Sequence, residues 1–193
     1  NIYERRDLKN KMTLLDDPRE TIGAALKYLG YSVNSVNPDE LAKAEAQIKK
    51  WLENVLRFDS ESFGKGYATG EYAVVHGWAE NVFLELDDAL KADAEFFIAK
   101  EGGVAYMDCM AILKGAKNRD LAHAFINYIQ RDDIYARIAS YLALPSVNVP
   151  ARAKLTEKPN YTEADLARCE LKLDIGDSIT LYSDLWKRLR LGD

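Results

Sequence analysis

Asp17 and Glu20 stand three residues apart in "MTLLDDPRE" (residues 12–20). That spacing puts both carboxylates at one end of a helix opened by Pro18. A helix N-terminus favours negative charge, so carboxylates there stay ionised. With more than one lone pair each, they can cap the helix and still meet an ammonium group. The alternative is a plain capping box, with both side chains consumed by backbone N–H groups. Trp78 follows Gly77 at the end of an apolar run. An indole there can cover methylene groups or face a cation, or be wedged against the next helix. Tyr106 and Asp108 have the alternate spacing that brings a ring and a carboxylate to one face of a strand. Asp108 can equally be a strand-end carboxylate bonded to local backbone. Together these residues describe a pocket for a small cationic ligand on which no reaction is performed.

A catalytic set is not evident. His76 and His123 are the two histidines, and neither belongs to HExxH or another metal-ligand spacing. GxSxG, Walker and GxGxxG patterns are absent. Gly64, Gly66 and Gly70 are too loosely placed to cradle phosphate. No catalytic residue, metal or cofactor is therefore expected, and a carboxylate-based hydrolase is the enzyme alternative. Cys109 and Cys169 form no CxxC pair and read as free buried thiols, with a disulfide between them as the alternative.

These side chains need elements to hold them. Met12, Leu14 and Leu15 form a strand that delivers Asp17 to a helix running to Gly30, with Ile22, Ala25, Leu26 and Leu29 on its core face. Pro38 opens a second helix, with Glu40 as reciprocal cap and Leu41, Ala44, Ile48, Leu52 and Val55 as its stripe. "EYAVVHGW", "AEFFIAK" and "VAYMDCMAIL" read as further extended segments. Between the first two lies a helix carrying Val82, Phe83, Leu86 and Leu90. This alternation is that of a layered α/β domain. A helix after Asn118 is expected to be buried through Leu121, Ala124, Phe125 and Tyr128. The next helix carries Ile134, Ile138 and Leu142, and a final one, 178–189, carries Ile179, Tyr182, Leu185, Trp186 and Leu189. A net charge of -5 and no long basic run argue against nucleic acid. No apolar run approaches the ~20 residues that cross a bilayer. The chain opens on "NIYERRDLKNK", without Met, and reads as a piece of something longer.

"LLDDPRETIGAALKYLGYSVNSVNPDELAKAE", "GEYAVVHGW", "KEGGVAYMD" and "AKNRDLAHAFINYI" occur in this order. Their succession resembles the later two-thirds of the bacterial spermidine/putrescine-binding proteins, the polyamine receptors of ABC importers. The resemblance implies a periplasmic-binding-protein fold of type II: two α/β lobes, each a mixed sheet flanked by helices, enclosing polyamine between them. Residues 1–106 and 153–193 are then the second lobe, and 107–152 a segment of an incomplete first lobe. That segment needs another partner for its apolar face: the missing N-terminal portion, a swapped copy of the chain, or a rearranged compact form. The implied partner beyond the ligand is an ABC permease. The implied location is periplasmic or extracytoplasmic, with a missing N-terminal lipid anchor as an option.

Carried over position by position, the resemblance assigns Asp17 and Glu20 to ammonium groups, Trp78 to the methylene chain and Asp108 to another amine. Tyr106 stands where spermidine-preferring relatives carry tryptophan. Lys172, in "ELKLDIG", falls near a position where relatives carry glutamine. A cation there repels a polyamine unless an acid such as Asp174 or Glu170 pairs with it. Two rival classes remain: a solute receptor of the same fold for a carboxylated or sugar-like ligand, which Lys172 supports, and a non-transport interaction module such as the ligand-binding domain of a sensor.

Overall fold

The structure is a computed structural model, and it describes residues 1–192. In chain order it contains β1 (Met12–Leu14), α1 (Pro18–Tyr28), α2 (Pro38–Leu52), β2 (Arg57–Phe58), α3 (Phe63–Ala68), β3 (Val74–Val75), α4 (Ala79–Phe83), α5 (Asp88–Asp93) and β4 (Val104–Ala105). Then follow α6 (Arg119–Ile129), α7 (Asp132–Leu142), α8 (Glu163–Leu166), β5 (Glu170–Leu171) and α9 (Ile179–Leu191). The chain divides into two compact units, Asn1–Ala105 with Glu163–Asp193, and Tyr106–Thr162.

In the first unit β1 lies between β2 and β3, paired parallel with both. β4 and β5 form a second parallel pair. The fold is α/β, sheets flanked by helices. A mixed sheet was expected, but every ladder among the described residues is parallel. The connections explain this, since parallel strands need crossovers long enough to hold a helix, and α1 and α2 lie between β1 and β2. Met12 and Leu14 pack with Ile22, Ala25 and Leu26 of α1, with Leu41, Ala44, Ile48 and Trp51 of α2, and with Tyr182, Leu185 and Leu189 of α9. A smaller cluster joins Leu15 to Phe63, Val82 and Leu86, with Trp78 against it.

Two glycines allow close approaches that matter for the site. A Cβ at Gly77 would stand 2.3 Å from the Phe63 ring, and one at Gly23 of α1 would stand 2.6 Å from Val104 Cγ2 of β4. Neither position accepts a larger residue without displacing its neighbour.

Several expectations fail here. Residues 94–100, the "AEFFIAK" segment, form no strand, and β4 stops at Ala105. Tyr106 and Asp108 are therefore not on a strand face. Cys109 is exposed rather than buried; both cysteines are free. Glu40 accepts from Ser35 Oγ at 2.5 Å instead of acting as a reciprocal cap. Ile179 of α9 is exposed.

In the second unit α6 buries no residue at all. Leu121, Phe125 and Tyr128 are 69%, 60% and 51% exposed, because nothing in their own unit covers that stripe. α7 buries Ala136, Ala139 and Ser140 instead of the expected isoleucine stripe, with Ile138 exposed. Residues 153–162 go with this unit, past the 152 boundary. Hydrogen bonds hold them to α7: Thr156 N donates to Ser140 Oγ at 2.9 Å, and Asn160 N to Ala143 O at 2.8 Å.

Candidate functional site

β1 ends where Asp17 caps α1. Asp17 Oδ1 accepts from the backbone N–H groups of Arg19 at 2.8 Å and Glu20 at 3.0 Å. Only one of its oxygens is used in this cap, and the side chain is half-buried. Asp16 is engaged by Arg190 of α9. Thr21 Oγ1 donates to Leu15 O at 2.8 Å and fixes the bend from strand to helix. Behind Asp17 lies His76, whose Nδ1 accepts from Leu15 N at 3.4 Å. Burial pushes its pKa down to about 4, against the opposing pull of the Asp17 charge. At neutral pH the imidazole is uncharged, so it adds no positive charge to this corner.

Glu20 does not complete the capping box. Its carboxylate is nearly buried, with 6% of the side chain exposed, and accepts from Lys172 Nζ at 2.6 Å. Burial pushes the Glu20 carboxyl above its ordinary range, the hydrogen bond and charge of Lys172 oppose this, and the nearby Asp17 charge adds to it. An acid does pair with Lys172, and it is Glu20 rather than Asp174 or Glu170, which are otherwise engaged. Asp174 Oδ1 accepts from Gly176 N at 2.8 Å. Glu170 accepts from Ser32 Oγ at 2.5 Å and Val33 N at 3.2 Å, with Lys27 at 3.6 Å.

Lys172 is held by a frame of backbone bonds. Its N–H donates to Ala105 O at 2.7 Å, continuing the β4–β5 ladder. Asn34 grips the chain on either side, its Nδ2 donating to Leu171 O at 2.9 Å and its Oδ1 accepting from Leu173 N at 2.8 Å. Arg19 Nη1 donates to Leu173 O at 3.1 Å. Gly23 lets α1 lie against Val104, which brings the first turn of α1 within reach of the Lys172 side chain. Sequence reasoning missed Asn34 and Arg19 as parts of this frame. A "YSVNSVN" loop gives no spacing that announces contacts over 130 residues away.

Trp78 precedes α4 as its N-cap residue. Its ring lies 6.1 Å from that of Phe63 at 59°, and the side chain is only half-buried. It is thus packed on the smaller core cluster while keeping part of its surface in solvent. Asp17, Glu20, Trp78 and Lys172 belong to the first unit, and Tyr106 and Asp108, both exposed, to the second. The structure brings together Asp17, Glu20 and Lys172. Among the described residues no His, Cys, Asp and Glu cluster could hold a metal ion.

The chemistry of this corner is therefore carboxylate meeting alkylammonium. Comparison with known proteins gives it a family. Residues 4–167 match the model of the bacterial extracellular solute-binding proteins. The spermidine/putrescine-binding periplasmic proteins of Salmonella typhimurium and Escherichia coli are each 31% identical over 192 residues, covering 96% of this chain and 55% of theirs. A putrescine/cadaverine-binding protein of Pseudomonas aeruginosa is 36% identical over 126 residues, 63% of this chain and 36% of its own. Among solved structures, the TpPotD lipoprotein of Treponema pallidum superposes with a TM-score of 0.90 at 38% identity, over 98% of this chain and 60% of that one. The chain thus spans about half the length of the curated relatives it matches over nearly all of its own. On the strength of the family model and of these relatives, the chain belongs to the bacterial extracellular solute-binding proteins.

Proposed function

We propose that this chain is part of an extracytoplasmic receptor that binds a polyamine between acidic and aromatic groups and delivers it to an ABC permease, without chemical change to the ligand. One observation carries the reading: at the α1 end Asp17 uses only one oxygen for its cap, beside a nearly buried Glu20 carboxylate that pairs with an alkylammonium group, that of Lys172, at 2.6 Å. A polyamine alternates ammonium groups with methylenes, so a matching site alternates carboxylates with rings. Asp17 supplies the open acid at α1, beside a Glu20 already paired with Lys172, Trp78 a partly exposed indole, and, by the resemblance, Tyr106 and Asp108 a ring and an acid. The spermidine/putrescine-binding names of the Salmonella and Escherichia relatives support the ligand class.

In this reading the first unit is the receptor's second lobe, and Tyr106–Thr162 returns to its first lobe. The bare α6 face is covered there by the N-terminal portion of the full-length protein or by a swapped copy. The receptor works in the periplasm or outside the membrane, and an upstream lipid anchor would keep it near the permease. A receptor for a carboxylated ligand would need a cation for that ligand. Lys172 was its support, and Lys172 is committed to Glu20.

Isothermal titration of the full-length protein with putrescine and spermidine tests the function. Saturable one-to-one binding of either amine is expected, and Asp108→Asn should weaken it while leaving the unfolding midpoint in place. Unchanged affinity in Asp108→Asn would remove that residue from the site.

A further inference from the structure

We propose that Lys172 is a tethered alkylammonium that permanently fills the Glu20 subsite and so restricts the receptor to diamines over longer triamines. This rests on the polyamine-receptor reading above and names its ligand. The lysine side chain is itself four methylenes ending in –NH₃⁺, chemically one end of a polyamine. It sits on Glu20 at 2.6 Å, with the carboxylate 6% and the lysine 27% exposed.

The geometry is built rather than incidental. Asn34 on both flanks, Arg19 on Leu173 O and Ala105 O on the Lys172 N–H fix the backbone that presents the ammonium. The two acids closest to Lys172 in sequence are held away from it by Gly176 N and by the 32–34 loop. Lys172 is thereby directed to Glu20 across 152 residues of chain.

The consequence is a matter of charge. Of the two carboxylates at the α1 end, Glu20 is neutralised from within, and Asp17 is the one left to attract a cation. A diamine can set one ammonium towards Asp17 and its other end elsewhere. A third ammonium directed at Glu20 would have to meet Lys172, a like charge in a poorly solvated corner, or push it off a nearly buried acid.

The test is the ratio of spermidine to putrescine affinity, measured by calorimetry on the full-length protein. Wild type should prefer putrescine. Lys172→Gln and Lys172→Met, which free Glu20, should move the ratio towards spermidine by about tenfold or more, the size of one charge-assisted hydrogen bond. Lys172→Arg should hold the wild-type ratio. An unchanged ratio in the neutral variants overturns the proposal while leaving the receptor reading intact, and so does an arginine variant that shifts as far as glutamine. In wild type, ¹⁵N spectroscopy of the Lys172 ammonium gives a check independent of the variants' folding. The resonance should stay protected from exchange at saturating putrescine, and its loss would mean that the ligand displaces Lys172 and the proposal falls. Wild type that binds neither amine overturns the receptor reading itself, and this proposal with it.

Discussion

At Asp17 one side chain holds a helix end and carries a charge, and asparagine separates the two duties. Asparagine caps a helix about as well as aspartate, so Asp17→Asn should leave the unfolding midpoint within a degree or two yet weaken polyamine binding about tenfold or more, because a charged hydrogen-bond partner is lost. Thermal unfolding and titration calorimetry on the same sample check both halves. His76 makes a second residue-scale prediction. Burial holds its pKa at about 4, against 6.5 for an ordinary histidine, so the unfolded chain takes up the proton first as pH falls. The neutral imidazole's contribution is whole above about pH 6.5 and is lost progressively from there towards pH 4. Urea unfolding across that window should show a steeper loss of stability in wild type than in His76→Gln; equal slopes would mean that His76 is solvated. Trp78 packs on Phe63 with part of its surface exposed. Trp78→Ala should lower both polyamine affinity and stability, and a loss of stability alone would leave Trp78 as core.

At the scale of elements, the approach of Phe63 under Gly77 is decisive for where Trp78 sits. Gly77→Ala places a methyl 2.3 Å from the ring and should cost about 1–3 kcal/mol in urea unfolding, whereas Gly115→Ala, with nothing within 4 Å, should be close to neutral. α6 and α9 form another contrast. Leu185→Ala in α9, 1% exposed, should cost about 2–5 kcal/mol. Phe125→Ser in α6, 60% exposed, should change the stability of this chain by about 0.5 kcal/mol or less. These helices also show what a sequence can reveal. Both carry an apolar stripe at helical spacing, and for α1, α2 and α9 the stripe finds the core. For α6 the same periodicity was read as burial, because a stripe records that a face is apolar and not that its cover lies within the chain. Asp17 was legible as a cap since strand, Asp, Pro and Glu are adjacent in sequence. The Glu20 to Lys172 pair was not, because it depends on two-residue strands, β4 and β5, too short to show a period, and on Asn34, whose contacts lie on the far side of the chain.

For the molecule as a whole, the α1 end where Glu20 meets the Lys172 ammonium lies in a member of the extracellular solute-binding proteins. The chain covers 55–60% of several relatives in curated sequence and solved structure, so the complete protein is where the function has to be measured. There, the Leu121, Phe125 and Tyr128 stripe should become protected from solvent. Hydrogen exchange across α6, compared between the 193-residue chain and the full-length protein, should slow in the latter. The same rate in both would mean that nothing beyond these 193 residues covers it. Polyamine recognition itself is decided by titration calorimetry of the full-length protein with putrescine, set against a dicarboxylate of the same chain length. A polyamine receptor shows saturable one-to-one binding of the diamine that weakens with added salt, and no binding of the dicarboxylate. Saturable binding of the dicarboxylate, with none of putrescine or spermidine, would contradict polyamine recognition.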